Sequence, residues 1–206
     1  MTAAVESLSH YRREWAAEPL LPVVAGLEEV VPGLRRGSAV SVEGGAGATS
    51  LLFALAAGPS RDGGWCAAVG LPTLGAQAAA DAGMVLDRLV AVPRPGRQWA
   101  AVVAALLDGV DLVLLAPPAG GYPERDVRRL SARARERGAV LLSRGNWPGA
   151  ALRLTVTGCR WDGIGAGHGH LRGRELELRV DGRGAAARTR RLALRLDELA
   201  EEGRTA

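Results

Sequence analysis

The sequence predicts an α/β protein with a mostly parallel sheet, flanked by helices and closed by an antiparallel C-terminal edge. Three observations carry the prediction. Between residues 37 and 142, short apolar runs alternate with helix-period segments, the pattern of strands joined by crossover helices. A glycine-rich turn, Glu43-Gly44-Gly45-Ala46-Gly47-Ala48-Thr49-Ser50, joins the first apolar run to a helix. After residue 150 the spacing changes to period-two alternation, as in half-buried antiparallel strands.

In chain order, Leu8, Tyr11 and Trp15 are spaced i, i+3 and i+7, an amphipathic helix that Pro19 and Pro22 stop. This gives an N-terminal helical arm over 1–18, a core domain over 19–197 and a mobile tail over 198–206. Ser38 to Val42 reads as a strand, followed by a helix from Ala48 to Ala57. Trp65 to Val69 is the next strand, Gly75 to Ala82 a helix, and Leu89 to Val92 a short strand closed by Pro93 and Pro95. Trp99, Val102, Val103, Leu106 and Leu107 form one face of a helix. The run Val110 to Leu115 is apolar apart from Asp111, so it reads as a strand buried on both faces. Pro123 opens a helix to Arg137, and Ala139 to Leu142 is a further buried strand. Ala151 to Trp161, Arg172 to Val180 and Arg188 to Leu196 alternate, with Asp181-Gly182 marking a hairpin turn.

Composition narrows the function classes. With 48% hydrophobic and 23% charged residues the chain can bury one sizeable core. No apolar run reaches the roughly 18 residues of a membrane span, and the N-terminal stretch lacks a signal-peptide core, so a cytoplasmic protein is expected. Cys66 and Cys159 lie in apolar strand-like stretches and are expected to be free core thiols. The net charge of +4 suits an anionic partner or simple solubility.

The glycine-rich turn is the main motif. A working phosphate loop has the pattern Gly-x-x-x-x-Gly-Lys-Ser/Thr, in which backbone N–H groups cradle phosphate, Lys neutralises it and the hydroxyl holds Mg²⁺. Here Gly47 and Thr49 fit the pattern, but Ala48 stands at the lysine position, and the chain contains no lysine at all. Two readings stay open: residual nucleotide or phosphate binding at a helix N-terminus, or a structural strand-to-helix turn.

Read in order, the elements resemble the RecA recombinase core, from Val31-Pro32-Gly33 through the glycine-rich loop, Trp65 to Gly70, Leu86-Asp87-Arg88-Leu89, and Val110 to Pro117. The resemblance implies a RecA-like P-loop core with degenerate Walker motifs. The glutamate that activates water in that family corresponds to Leu71, and the Mg²⁺-associated aspartate to Ala116. With Ala48, three functional positions are lost, which implies a pseudo-ATPase without catalytic residues or a cofactor. The loops that would bind DNA, Pro117 to Pro123 and Ser143 to Gly149, are too short for a recombinase.

Within that superfamily the chain is most similar to ImuA, on Gly47-Ala48-Thr49-Ser50-Leu51, Asn146-Trp147-Pro148-Gly149-Ala150 and Gly163 to Arg172. This implies a non-catalytic accessory role in damage-induced translesion synthesis. The partners would be a Y-family-like ImuB-type protein, an error-prone DnaE-type polymerase and RecA, and the protein would associate with the nucleoid after damage. The resemblance also leaves open a SulA-like division inhibitor and a nucleotide-dependent switch.

Leu8, Tyr11, Trp15, Arg144, Trp147, His168 and His170 are the partner-contact candidates; Trp147 is read either as an exposed hot spot or stacking residue, or as folded onto the core. Arg172, Arg174, Arg188, Arg190 and Arg191 are candidates for contact with DNA phosphates. His168, His170 and Asp162 lack the spacing of a metal centre, and none is expected.

Overall fold

The computed structural model describes residues 20–163, 173–182 and 189–196. Strands are β1 (Leu20–Leu21), β2 (Leu34–Arg35), β3 (Ala39–Gly44), β4 (Cys66–Val69), β5 (Leu89–Val92), β6 (Leu112–Leu115), β7 (Val140–Arg144), β8 (Leu152–Asp162), β9 (Gly173–Gly182) and β10 (Arg190–Arg195). Helices are α1 (Ala48–Arg61), α2 (Ala76–Asp81), α3 (Trp99–Leu106) and α4 (Glu124–Arg137).

Eight strands form one sheet in the order β10-β9-β8-β3-β7-β6-β4-β5. From β8 to β5 every pairing is parallel, and the β8-β9 and β9-β10 pairs are antiparallel. The central strands β4 and β6 are buried at every position, as expected for parallel strands covered by helices on both faces. Leu20–Leu21 and Leu34–Arg35 form a separate two-stranded antiparallel pair. No helix among the described residues is long and apolar enough to cross a membrane.

Two apolar layers hold the sheet. On one face α1 packs with Leu27, Val30, Val31 and Leu34 over the inward positions of β3, β8 and β9. On the other, α3 and α4 bring Trp99, Val103, Leu107, Val127 and Leu130 onto Val113, Leu115 and Leu141. Helix α1 is apolar on nearly all sides because the segment around Val23 covers its outer surface. Gly58 permits this crossing, since a Cβ there would stand 2.5 Å from the Pro22 carbonyl oxygen.

Helix α4 follows simple end rules. Glu124 and Asp126 lie in its first turn, Arg135 and Arg137 in its last, and Gly138 closes it at φ 68°, so charge opposes the helix dipole at each end and glycine takes the left-handed cap. Four of its six arginines pair with nearby carboxylates. Asp108 accepts hydrogen bonds from Arg133 and Arg137, and Glu124 and Asp126 pair with Arg128 and Arg129.

Two expectations are corrected. The helix after the glycine-rich loop continues to Arg61, with Pro59 inside its last turn. Asp181-Gly182 is not the hairpin turn: both residues are paired in β9, opposite Arg153 and Leu152. The connection lies beyond them, and Thr189 donates to Asp181 Oδ1 at 2.6 Å across its base.

Candidate functional site at the carboxyl end of the parallel strands

The glycine-rich turn leaves the carboxyl end of β3, near the middle of the sheet, and Gly47 is the N-cap of α1 at φ 89° with no side-chain cap. The site candidates Gly44, Gly45, Gly47, Ala48, Thr49 and Ser50 therefore lie where an α/β sheet ordinarily presents a ligand. The left-handed backbone at Gly44 and Gly47 explains the glycines, because φ is 108° and 89° there. Two backbone bonds tighten the turn, from Ala48 N–H to the Gly45 carbonyl at 3.3 Å and from Leu51 N–H to the Gly47 carbonyl at 2.9 Å.

The antiparallel strands pack against one side of this turn, while Gly44, Gly45, Ala46 and Thr49 stay exposed. A Cβ built on Gly47 would stand 2.4 Å from Leu176 Cδ2 and 3.5 Å from Cys159 Sγ, and one on Gly44 would stand 2.3 Å from the Val156 carbonyl oxygen. Leu176 is wholly buried. Arg174 donates to Ser50 Oγ, and its guanidinium lies 4.1 Å from the centre of the Trp161 ring. Burial pulls the Arg174 guanidinium below its ordinary value, though a guanidinium keeps its charge at any physiological pH. An apolar leucine thus packs beside Gly47, and a stacked cation is held at Ser50.

The other sequence-predicted positions converge on the same end of the sheet. Leu71 follows β4 and Ala116 follows β6; the Ala116 N–H donates to the Val69 carbonyl at 3.0 Å. Neither carries a polar side chain. Trp99 Nε1 donates to the Ala116 carbonyl at 3.0 Å. Arg144, at the end of β7, reaches across to donate to the Gly44 carbonyl at 2.9 Å, tying two strand ends together.

Of the two readings of Trp147, the structure has the buried one, which corrects its candidacy as an exposed contact. The side chain is 0% exposed. Its ring meets Tyr122 edge-on at 4.9 Å, and Tyr122 stands 5.6 Å from Trp99. The indole N–H of Trp147 donates to Ser131 Oγ at 3.1 Å, and its backbone N–H to the buried Ser41 Oγ at 2.8 Å. Ser143 Oγ donates to Tyr122 Oη at 2.8 Å, and burial raises the Tyr122 phenol well above its ordinary value. Sequence reasoning missed this cluster. Its only signal was an aromatic residue in each of the two short loops and at the start of α3.

The arginines of the C-terminal strands are largely committed within the protein. Arg190 donates to the Val30 and Glu29 carbonyls at 2.8 and 3.2 Å, fixing β10 to the segment beneath it. On the outer face, Arg160 pairs with Glu175 at 3.2 Å, Arg179 with Asp181 at 2.9 Å, and Arg153 with Glu43 at 2.8 Å. Arg174 and Arg190, both half-buried, thus make hydrogen bonds within the protein, while Arg191 is exposed. The outer face is a lattice of both signs rather than a cationic stripe.

Leu8, Tyr11, Trp15, His168, His170, Arg172 and Arg188, with the N-terminal arm and the tail, lie outside the described residues. Among the described residues, no three His, Cys, Asp or Glu side chains come together as a metal site. Cys66 and Cys159 are free thiols, and burial pushes Cys66 up to about 12.

The fold and site define an α/β protein whose loop-bearing strand ends beneath an antiparallel cover. The chain belongs to the MT3502 N-terminal domain family, whose model matches residues 29–149. It is similar to the uncharacterized protein Rv3395c of Mycobacterium tuberculosis, with 36% identity over 146 residues, covering 67% of this chain and 71% of that one.

Proposed function

We propose that the chain is a RecA-like domain of the ImuA type that lacks ATPase chemistry and acts as a scaffold in error-prone translesion synthesis. Its partners in this reading are an ImuB-type polymerase accessory, a DnaE-type polymerase and RecA. The single observation that carries the non-catalytic part is the pairing of Ala48, in place of lysine, with Leu176 packed against Gly47. A nucleotide phosphate needs backbone N–H groups and a cation over a helix start. Here Ala48 leaves the loop without its cation, Leu176 packs against Gly47, and the nearby cation, Arg174, is held on Trp161 and Ser50.

The RecA-like reading is supported by a glycine-rich loop between a central strand and a covered helix, with Leu71 and Ala116 at the ends of the two strands that would carry acidic residues. The mutagenesis role rests on the sequence resemblance. Its test is purification of the tagged protein from DNA-damaged cells with mass spectrometry of what accompanies it. Recovery of translesion polymerase components supports the reading; recovery of a tubulin-like division protein replaces it with a SulA-like inhibitor. Magnesium-dependent ATP binding by calorimetry would replace it with a nucleotide switch.

A further inference from the structure

Among the described residues the sheet ends at β5, and this edge lacks the usual protection of an edge strand. Its sequence is Leu89-Val90-Ala91-Val92, with no charge, proline or bulge within it, although sheet edges are ordinarily blunted by such features. Among the described residues β5 pairs with β4 alone, Cys66 opposite Leu89 and Val69 opposite Val92. The Gly70 N–H donates to the Val92 carbonyl at 3.0 Å. Because hydrogen-bonding groups alternate sides along a strand, Val90 and Val92 turn theirs toward β4. Of the outward groups, the Leu89 N–H already donates to the Leu86 carbonyl, which leaves the Leu89 carbonyl and both groups of Ala91, and Pro93, next in that series, has no N–H to give.

The surface beside this edge is apolar. Val90 is 37% exposed and lies opposite Ala67, on the face that carries α3; Trp65, just before β4, is 45% exposed. The nine residues Trp99 to Leu107 include no polar side chain, and Ala101 and Ala105 are exposed. A helix apolar all round is ordinarily covered on every side.

The geometry points to a second copy of this chain as the cover, joined by antiparallel β5-to-β5 pairing about a two-fold axis through Val90. A two-fold antiparallel pair must set one residue opposite its own copy. Centring on Val90 places Leu89 opposite Ala91 of the second copy, so the Ala91 N–H of each copy meets the open Leu89 carbonyl of the other in two symmetric hydrogen bonds. Centring on Ala91 instead sets Leu89 opposite Pro93, which cannot donate, and Arg88 opposite Arg94, which repel. The Val90 pairing is thus the self-complementary register of this edge, and it merges two sheets into one.

Light scattering on the purified full chain tests the proposal, the expected mass being twice the 21.4 kDa of one chain. Val90→Lys, an exposed change, should return it to one chain with unchanged circular dichroism. In the Val90-centred pair the two Val90 Cα atoms fall within disulfide range. Val90→Cys should therefore cross-link two chains under mild oxidation, whereas Val92→Cys should not. A monomer at the highest soluble concentration, a dimer indifferent to Val90→Lys, or cross-linking from Val92→Cys and not Val90→Cys would overturn it. The outcome is independent of whether the scaffold reading holds.

Discussion

Leu176 of β9 packs against Gly47 at the start of α1, so closely that a Cβ on Gly47 would lie 2.4 Å from Leu176 Cδ2. The antiparallel wing thereby reaches over the loop that β3 presents, and the glycine is required twice, by its φ of 89° and by this neighbour.

Gly47→Ala is expected to destabilise the protein by about 1–3 kcal/mol, the usual cost of forcing a side chain into a left-handed position. Leu176→Ala should cost about 2–5 kcal/mol as a buried truncation. In denaturant titrations the double variant should lose less than the sum, because the second change removes the atom that the first collides with. Additive losses would show that the two residues do not meet.

Millimolar Mg-ATP should leave the melting temperature unchanged. A ligand present at 100 times its Kd would add about 2.7 kcal/mol, a rise that differential scanning calorimetry resolves easily. A nucleotide-dependent rise in melting temperature would refute the reading of this loop as one that no longer holds nucleotide.

Trp147→Ala should cost about 3–5 kcal/mol, since the ring is wholly buried against Tyr122. Trp161→Ala, exposed and stacked with Arg174, should cost only about 0.5–1 kcal/mol. Urea midpoints of the two variants decide between them. The contrast matters for partner mapping, because a loss of binding in Trp147→Ala would report unfolding rather than a lost contact.

Thiol labelling should distinguish the two cysteines. Cys66 is buried with its thiol pushed up to about 12, so at pH 8 it should react only after denaturation, whereas Cys159 is partly accessible and should react in the native protein. Reagent titration with and without denaturant checks this.

Acid should weaken the fold through its paired carboxylates. Asp181 is held below its ordinary value, first by the Thr189 hydroxyl and then by Arg179 and Arg153, and Asp108 is held below its own by Arg133. A depressed native value means the stabilisation is full above about pH 4, the ordinary aspartate range, and is lost as pH falls through the native value. Asp181→Asn should flatten the acid limb of melting temperature against pH while leaving neutral pH less affected.

The parallel half of the fold was legible because its strands are short apolar runs bounded by glycine and proline, so Cys66–Val69, Leu89–Val92 and Leu112–Leu115 lie within a residue or two of where the sequence places them. The Leu20–Leu21 and Leu34–Arg35 pair was not, since two residues carry no periodicity. The turn at Asp181-Gly182 failed because a favourable turn dipeptide was overridden by pairing with β8. Ala48, Leu71 and Ala116 could be assigned to one end of the sheet from strand order alone. Leu176, Arg174 and Cys159 could not, because their meeting with Gly47 and Ser50 depends on how the wing folds back. Trp147 was undecidable from its neighbours in sequence; its burial is set by Tyr122, Ser131 and Ser41, all from other elements.

The family model ends at residue 149, yet β8 begins at Leu152 and lies alongside β3 from Val40 to Gly44. Cutting there would leave the central strand as a bare margin and strip Leu152, Leu154, Leu176 and Leu178 from the layer they share with α1. The match therefore outlines a stretch of shared sequence and not a separable folding unit. A fragment stopping at 149 should be insoluble or molten, with anomalous ANS binding, and the wing must accompany the rest of the chain for either half to hold its shape.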